Sequence, residues 1–254
     1  MKDTKQIPEF HACLFDRLEL TDGTTTLSQV RLRSNQLTKL IFYLIVYAET
    51  GCTAQQLINL LWDDNSENPA NALKNLVYRI RKVLHGIWPD IDFIITRNGF
   101  YQWNPKVPIH TDIEEFMEYY NESKKLESTE ARTTALESLT DVYKGKVLSD
   151  FGDDYDILCR QTYFQNMYLE AVNILSDIYE ANEDFATMEQ LCQKAILIYP
   201  LEESVHCCLL RSYIGEKRFA VAEQHYHDTV QLLNDNLGQE ASDELRGKIG
   251  RAHV

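Results

Sequence analysis

The chain has 254 residues and is 44 % hydrophobic, enough for two cores of ordinary domain size. Its densest apolar stretch, Leu37 to Tyr47, is broken by Lys39 and too short to span a bilayer, and the opening MKDTKQIPEF has no apolar signal core, so a cytoplasmic protein with no membrane partner is expected. The net charge of −14 is unevenly divided: residues 1–106 carry +1 and residues 107–254 carry −15, so one half can approach phosphates and the other is repelled by them.

Cys13 to Leu20 reads as strand, followed by a turn signal at Thr21-Asp22-Gly23. Val30-Arg31-Leu32-Arg33 alternates, which predicts another strand with one basic face. Ser34 or Asn35 caps a helix whose buried stripe is Leu37, Leu40, Ile41, Leu44 and Ile45, and Gly51 ends it. Thr53 with Gln56 forms a capping-box pattern for a short helix carrying Leu57, Leu60 and Leu61. A polar turn at Asp63 to Glu67 follows. Asn68 then caps a third helix, with Pro69 at its first position, where a missing N–H costs nothing.

This third helix carries the functional signal. Leu73, Leu76, Val77, Ile80 and Leu84 form one stripe; Asn71, Lys74, Asn75, Tyr78, Lys82 and His85 lie opposite, with Arg79 and Arg81 on the flanks. Amides, cations and a phenol are the groups that reach base edges and phosphates in a major groove. Alone, such a face also fits an ordinary solvated helix. The next residues favour DNA: Asp92 to Thr96 and Phe100 to Trp103 read as strands around Asn98-Gly99, the strongest short hairpin signal. A hairpin after a basic third helix is the order of a winged helix, with Arg97 and Asn98 at the wing tip, in reach of the minor groove or backbone. Phe100 and Trp103 are expected in the core.

Residues 112–248 read as helices with a repeat of 34 residues: Asp184 to Gln190 matches Arg218 to Gln224, Leu175 matches Leu209, and Tyr179 matches Tyr213. A period of that length built from helix pairs is that of a tetratricopeptide array, and Pro200 closes the first unit. Two units do not bury themselves alone, so Asp112 to Leu126 and Glu130 to Tyr143 are expected to cover them. The fold class is therefore an α+β winged helix-turn-helix domain over 1–106, followed by an all-α tetratricopeptide-like domain over 107–248. The last six residues, Ile249 to Val254, match one frame of a common sequencing-adapter oligonucleotide and are expected to lie outside the natural chain, which would then continue differently.

Little points to catalysis or cofactors. Six cysteines without a C-x-x-C pair fit free thiols in a reducing compartment. Cys207, Cys208, His225 and His227 are spaced as helix neighbours that diverge, so no metal is expected. Asp153, Asp154 and Asp156 lack the glycine and final glutamate of a calcium loop. No phosphate loop or nucleophile triad can be placed.

The residues resemble a known family. Leu57-x-x-Leu60-Leu61-Trp62, Asn71-Ala72-Leu73, Val77 to Leu84, Ile95-Thr96-x-x-Gly99-Phe100-Tyr101, Asp112-x-x-x-Phe116 and Pro200-Leu201-Glu202-Glu203 occur in the order found in SARP-type activators (Streptomyces antibiotic regulatory proteins). These join a winged helix like that of OmpR-class regulators to a bacterial transcriptional activator domain. The resemblance implies a recognition helix from Asn71 to His85, with Arg79 and the Arg81-Lys82 pair at positions that contact DNA. It also implies head-to-tail dimers on promoter repeats of double-stranded DNA and recruitment of RNA polymerase. The expected function is a sequence-specific transcription activator, not an enzyme, with no cofactor. The alternative, motivated by a first half of only +1, is a protein-interaction adaptor whose winged helix does not bind DNA.

Overall fold

Alternation builds the first strand: Phe10 and Ala12 are buried and His11 and Cys13 face outward along β1 (Phe10–Cys13). The computed structural model describes residues 7–62, 68–97, 99–238 and 240–250. β2 (Glu19–Thr21) and β3 (Thr26–Ser28) are joined by the expected turn, where Gly23 has φ +84°. Asp22 organises that turn: its carboxylate accepts from the Thr25 amide at 2.7 Å, the Thr24 amide at 2.9 Å and the Trp88 indole at 2.8 Å. Those donors, the Thr25 amide foremost, hold its carboxyl well below the usual range.

The reading of Cys13 to Leu20 as one strand fails because β1 stops at Cys13 and Asp16 takes φ +67°, which turns the chain before β2. Val30 to Arg33 does not form a strand either. Gln29 binds back to the chain, its N–H donating to the Leu18 carbonyl at 2.8 Å and its side-chain oxygen accepting from the Leu18 amide at 3.3 Å. The following residues form one helical turn, α1 (Gln29–Leu32), which leaves Val30 71 % exposed.

α2 (Asn35–Val46) is capped by the Ser34 hydroxyl on the Leu37 amide and buries the whole expected stripe. β4 (Cys52–Thr53) leads into α3 (Ala54–Leu61), where Thr53 and Gln56 form the full capping box. Leu57 and Leu61 are buried, Leu60 only in part. α4 (Pro69–Ile87), β5 (Ile94–Arg97), β6 (Phe100–Trp103) and β7 (Ile109–Thr111) complete this part. The expected polar turn at Asp63 to Glu67 lies outside the described residues. The strands form two sheets, ordered β3-β2-β1-β7 and β4-β6-β5; β7 runs parallel to β1, with His11 opposite His110. Phe10, Trp88, Phe93 and Trp103 form an aromatic cluster, with Phe10 5.0 Å from Phe93 and Phe93 5.3 Å from Trp103.

The chain divides into two compact units, residues 1–115 with 147–160, and residues 116–146 with 161–254. That 147–160 belongs with the winged-helix residues has no sequence signal. The Leu148 and Ser149 amides donate to the Leu14 and Asp16 carbonyls at 3.1 and 2.7 Å, and Lys39 pairs with Asp154. Asp112 contributes as well, its carboxylate accepting from the Leu14 and Phe15 amides at 2.9 and 3.0 Å; burial pushes its carboxyl up to about 6.

Helices follow: α5 (Asp112–Lys125), α6 (Thr129–Val142), α7 (Tyr155–Ala181), α8 (Phe185–Ile198), α9 (Glu203–Gly215), α10 (Phe219–Leu237) and α11 (Asp243–Gly250). The 34-residue period is visible in the backbone. Glu183 and Lys217 both take left-handed φ, +58° and +59°. The amides after them, Asp184 and Arg218, donate back to the Tyr179 and Tyr213 carbonyls at 2.9 and 2.8 Å. Helices from before the repeats cover them: Glu137 on α6 accepts from the Tyr179 hydroxyl at 2.6 Å, and the Lys194 ammonium on α8 donates to the Thr140 carbonyl at 2.9 Å. Tyr143 stacks on Tyr168 at 4.3 Å, and its hydroxyl bonds that of Tyr199. No described helix is long and apolar enough to cross a membrane.

Candidate nucleic-acid interface

α4 starts where its sequence dictates. The Asn68 side chain accepts from the Asn71 amide at 3.2 Å, a cap contributing about 1 kcal/mol, and Pro69 occupies the first turn. Leu73, Leu76, Val77, Ile80 and Leu84 are buried, packed toward α2 and α3. The opposite side stays open: Asn71, Lys74, Asn75, Tyr78, Arg79, Arg81, Lys82 and His85 are all exposed, Tyr78 by 68 %. Leaving an aromatic ring uncovered costs solvation.

The hairpin has the expected form. β5 and β6 pair antiparallel from Ile94 opposite Trp103 to Arg97 opposite Phe100, and Gly99 takes φ +82° at the turn. Arg97 ends β5, exposed; Asn98, expected beside it at the wing tip, lies outside the described residues. Trp103 is buried, its indole donating to the Val107 carbonyl at 3.0 Å. Phe100 is not core as expected. It is 43 % exposed, at a position that pairs with Thr53 and Arg97 near the tip.

Two ties that the sequence did not signal fix the wing. The Gln102 amide on β6 donates to the Ala48 and Glu49 carbonyls at 3.1 and 2.9 Å, gripping the turn that follows α2. Arg81, on α4 itself, donates through Nη2 to the Ile94 carbonyl at 3.0 Å and to the Thr96 hydroxyl at 2.9 Å. At the base, the Asn104 amide side chain donates to the Asp92 carbonyl at 2.6 Å. The structure thus brings Asn71, Lys74, Asn75, Tyr78, Arg79 and Lys82 onto one open helical face, places Arg97 on the neighbouring hairpin, and engages Arg81 between the two.

In the helical unit, the temptation at Cys207, Cys208, His225 and His227 takes another shape. Among the described residues no group of three or more His, Cys, Asp or Glu is placed to hold a metal ion. His225 instead meets His206, Nε2 to Nδ1, at 3.1 Å, and His206 Nε2 lies 2.8 Å from the Pro200 carbonyl. That contact fixes the tautomers: His206 donates to Pro200 and accepts from His225.

A family model for the bacterial transcriptional activator domain matches residues 111–249. The chain belongs to that family. The SARP-type reading of the sequence stands with it, and the class is one of transcription regulators. No curated protein matches the chain by sequence. Among solved structures, Mycobacterium tuberculosis EmbR, determined in complex with a low-affinity phosphopeptide, is similar at a TM-score of 0.67 and 18 % identity. The match covers 96 % of this chain and 65 % of that one, so this activator-domain chain spans about two thirds of the EmbR length. The likeness supports the fold, a winged helix followed by a tetratricopeptide-like domain.

Proposed function

We propose that this regulator is a sequence-specific DNA-binding activator, with α4 in the major groove and the β5–β6 wing on the adjacent backbone or minor groove. One observation carries the reading: an acid-free exposed face of amides, cations and a phenol, backed by a buried stripe and followed at once by a hairpin. Asn71 and Asn75 are suited to adenine, Lys74 to guanine, and Arg79, Lys82 and Arg97 to phosphates. Binding as a dimer on promoter repeats and recruitment of RNA polymerase follow as parts of the same proposal, with the acidic helical unit meeting protein rather than nucleic acid.

The test is selection from a random DNA pool with the full chain, then fluorescence anisotropy on the winner across a salt series. Enrichment of paired half-sites with steep salt dependence is expected. Replacing Arg79 and Lys82 by alanine should weaken binding to every DNA and reduce the slope of log K against log salt by about 0.9 for each phosphate no longer neutralised. An unchanged slope removes these residues from the interface. Absence of any binding at low salt favours the adaptor reading, for which the net +1 of residues 1–106 is the motivating observation.

A further inference from the structure

Arg81 stands apart from the other cations of α4. The family resemblance implies that it contacts DNA beside Lys82, yet its guanidinium is already donating to β5, at 3.0 Å to the Ile94 carbonyl and 2.9 Å to the Thr96 hydroxyl. β5 is an outer strand of its sheet, ordered β4-β6-β5, so among the described residues one edge of it has no strand partner. Arg81 covers that edge. Thr96 is next to Arg97, and the turn at Gly99 follows directly, so this grip acts within two residues of the wing tip. A planar guanidinium holds both acceptors in one fixed geometry, which the point charge of a lysine does not reproduce.

We propose that Arg81 is a positioning residue: it sets the angle between α4 and the wing, so that helix and wing meet DNA as one rigid reading head. A short hairpin has little stability of its own, and its tip must be held where Arg97 is useful before DNA arrives. Ordering the wing in the free protein removes that cost from binding. The inference rests on the DNA-binding reading above.

Two measurements on the full chain test it. The first is amide hydrogen exchange in the free protein. Arg81→Ala and Thr96→Val should each speed exchange severalfold across residues 92–103 and leave the α4 core around Leu76 and Ile80 unchanged. The second is a double-mutant cycle on the selected DNA. Arg81→Ala should weaken binding by about tenfold, Arg81→Lys should not restore it, and Arg81→Ala with Arg97→Ala should stay within about twofold of the weaker single variant. A direct phosphate contact at Arg81 would instead make the two effects multiply. Unaltered wing exchange, or multiplying effects in a chain that binds DNA, overturns the role of Arg81 alone. A wild-type chain that binds no DNA overturns the DNA-binding reading, and this role with it.

Discussion

Gly51 shows how much one position can decide. It takes φ +67°, and a Cβ there would lie 3.2 Å from the Tyr101 carbonyl and from the Gln102 Cβ, on the strand that forms the wing. Gly51→Ala is expected to destabilise the protein by about 1–3 kcal/mol, from the left-handed backbone and the crowding together. Urea unfolding followed by circular dichroism measures this, and a change below about 0.5 kcal/mol would show that the wing yields. The His206–His225 pair makes a second prediction at this scale. Burial lowers both imidazoles, His225 to about 4 against an ordinary 6.5. The folded state therefore binds fewer protons than the unfolded one between those values. The pair's contribution is fully present above about 6.5 and is lost as pH falls toward 4. The urea midpoint should drop over that interval, and His225→Gln should shrink the drop. Gly51 does not end α2 as expected: the helix stops at Val46, and Gly51 closes the turn beyond it, its amide donating to the Tyr47 carbonyl at 2.8 Å. The histidine contact was not legible in the sequence, since it depends on how α9 faces α10.

At the scale of elements, what could be read followed from local chemistry. Caps declared themselves: Ser34, Thr53 and Asn68 each bond the amide three residues on, as their spacing implies. Buried stripes of α2 and α4 were equally plain, because a period of 3.6 held over three or more turns leaves little choice of face. The hairpin followed from Asn-Gly. Failures came where tertiary bonds overrode a short pattern. Four alternating residues at Val30 suit a strand, but the Gln29 bonds to Leu18 end the sheet first. Phe100 looked apolar enough for the core, and its place at the wing tip kept it out. Within the candidate interface, the face of α4 was readable residue by residue. The engagement of Arg81 was not, because β5 comes within its reach only in the folded chain.

Across the whole molecule, the winged-helix residues do not end where their own secondary structure ends. Asp112 binds the Leu14 and Phe15 amides, and Leu148 and Ser149 donate to the Leu14 and Asp16 carbonyls. A fragment ending at residue 106 loses β7 and all of these bonds. It should unfold at a lower urea concentration than the same residues in the full chain, followed by hydrogen exchange at Leu40 and Ile41. Equal protection in fragment and full chain would show that 147–160 is dispensable for that core. The 34-residue repeat was visible in sequence because both copies need the same left-handed turn and the same tyrosine carbonyl. The return of 147–160 had no such repetition to reveal it.

That return also sets a schedule for the ribosome. A domain made of one continuous stretch can close as soon as its last residue clears the exit tunnel. Here the first unit needs residues 147–160, and the 31 residues between 115 and 147 belong to the other unit. At about 5–20 residues per second, the nascent winged helix waits several seconds, its Leu14 and Asp16 backbone groups open, while part of its neighbour is synthesised. α4 thus emerges well before the segment that completes its own unit.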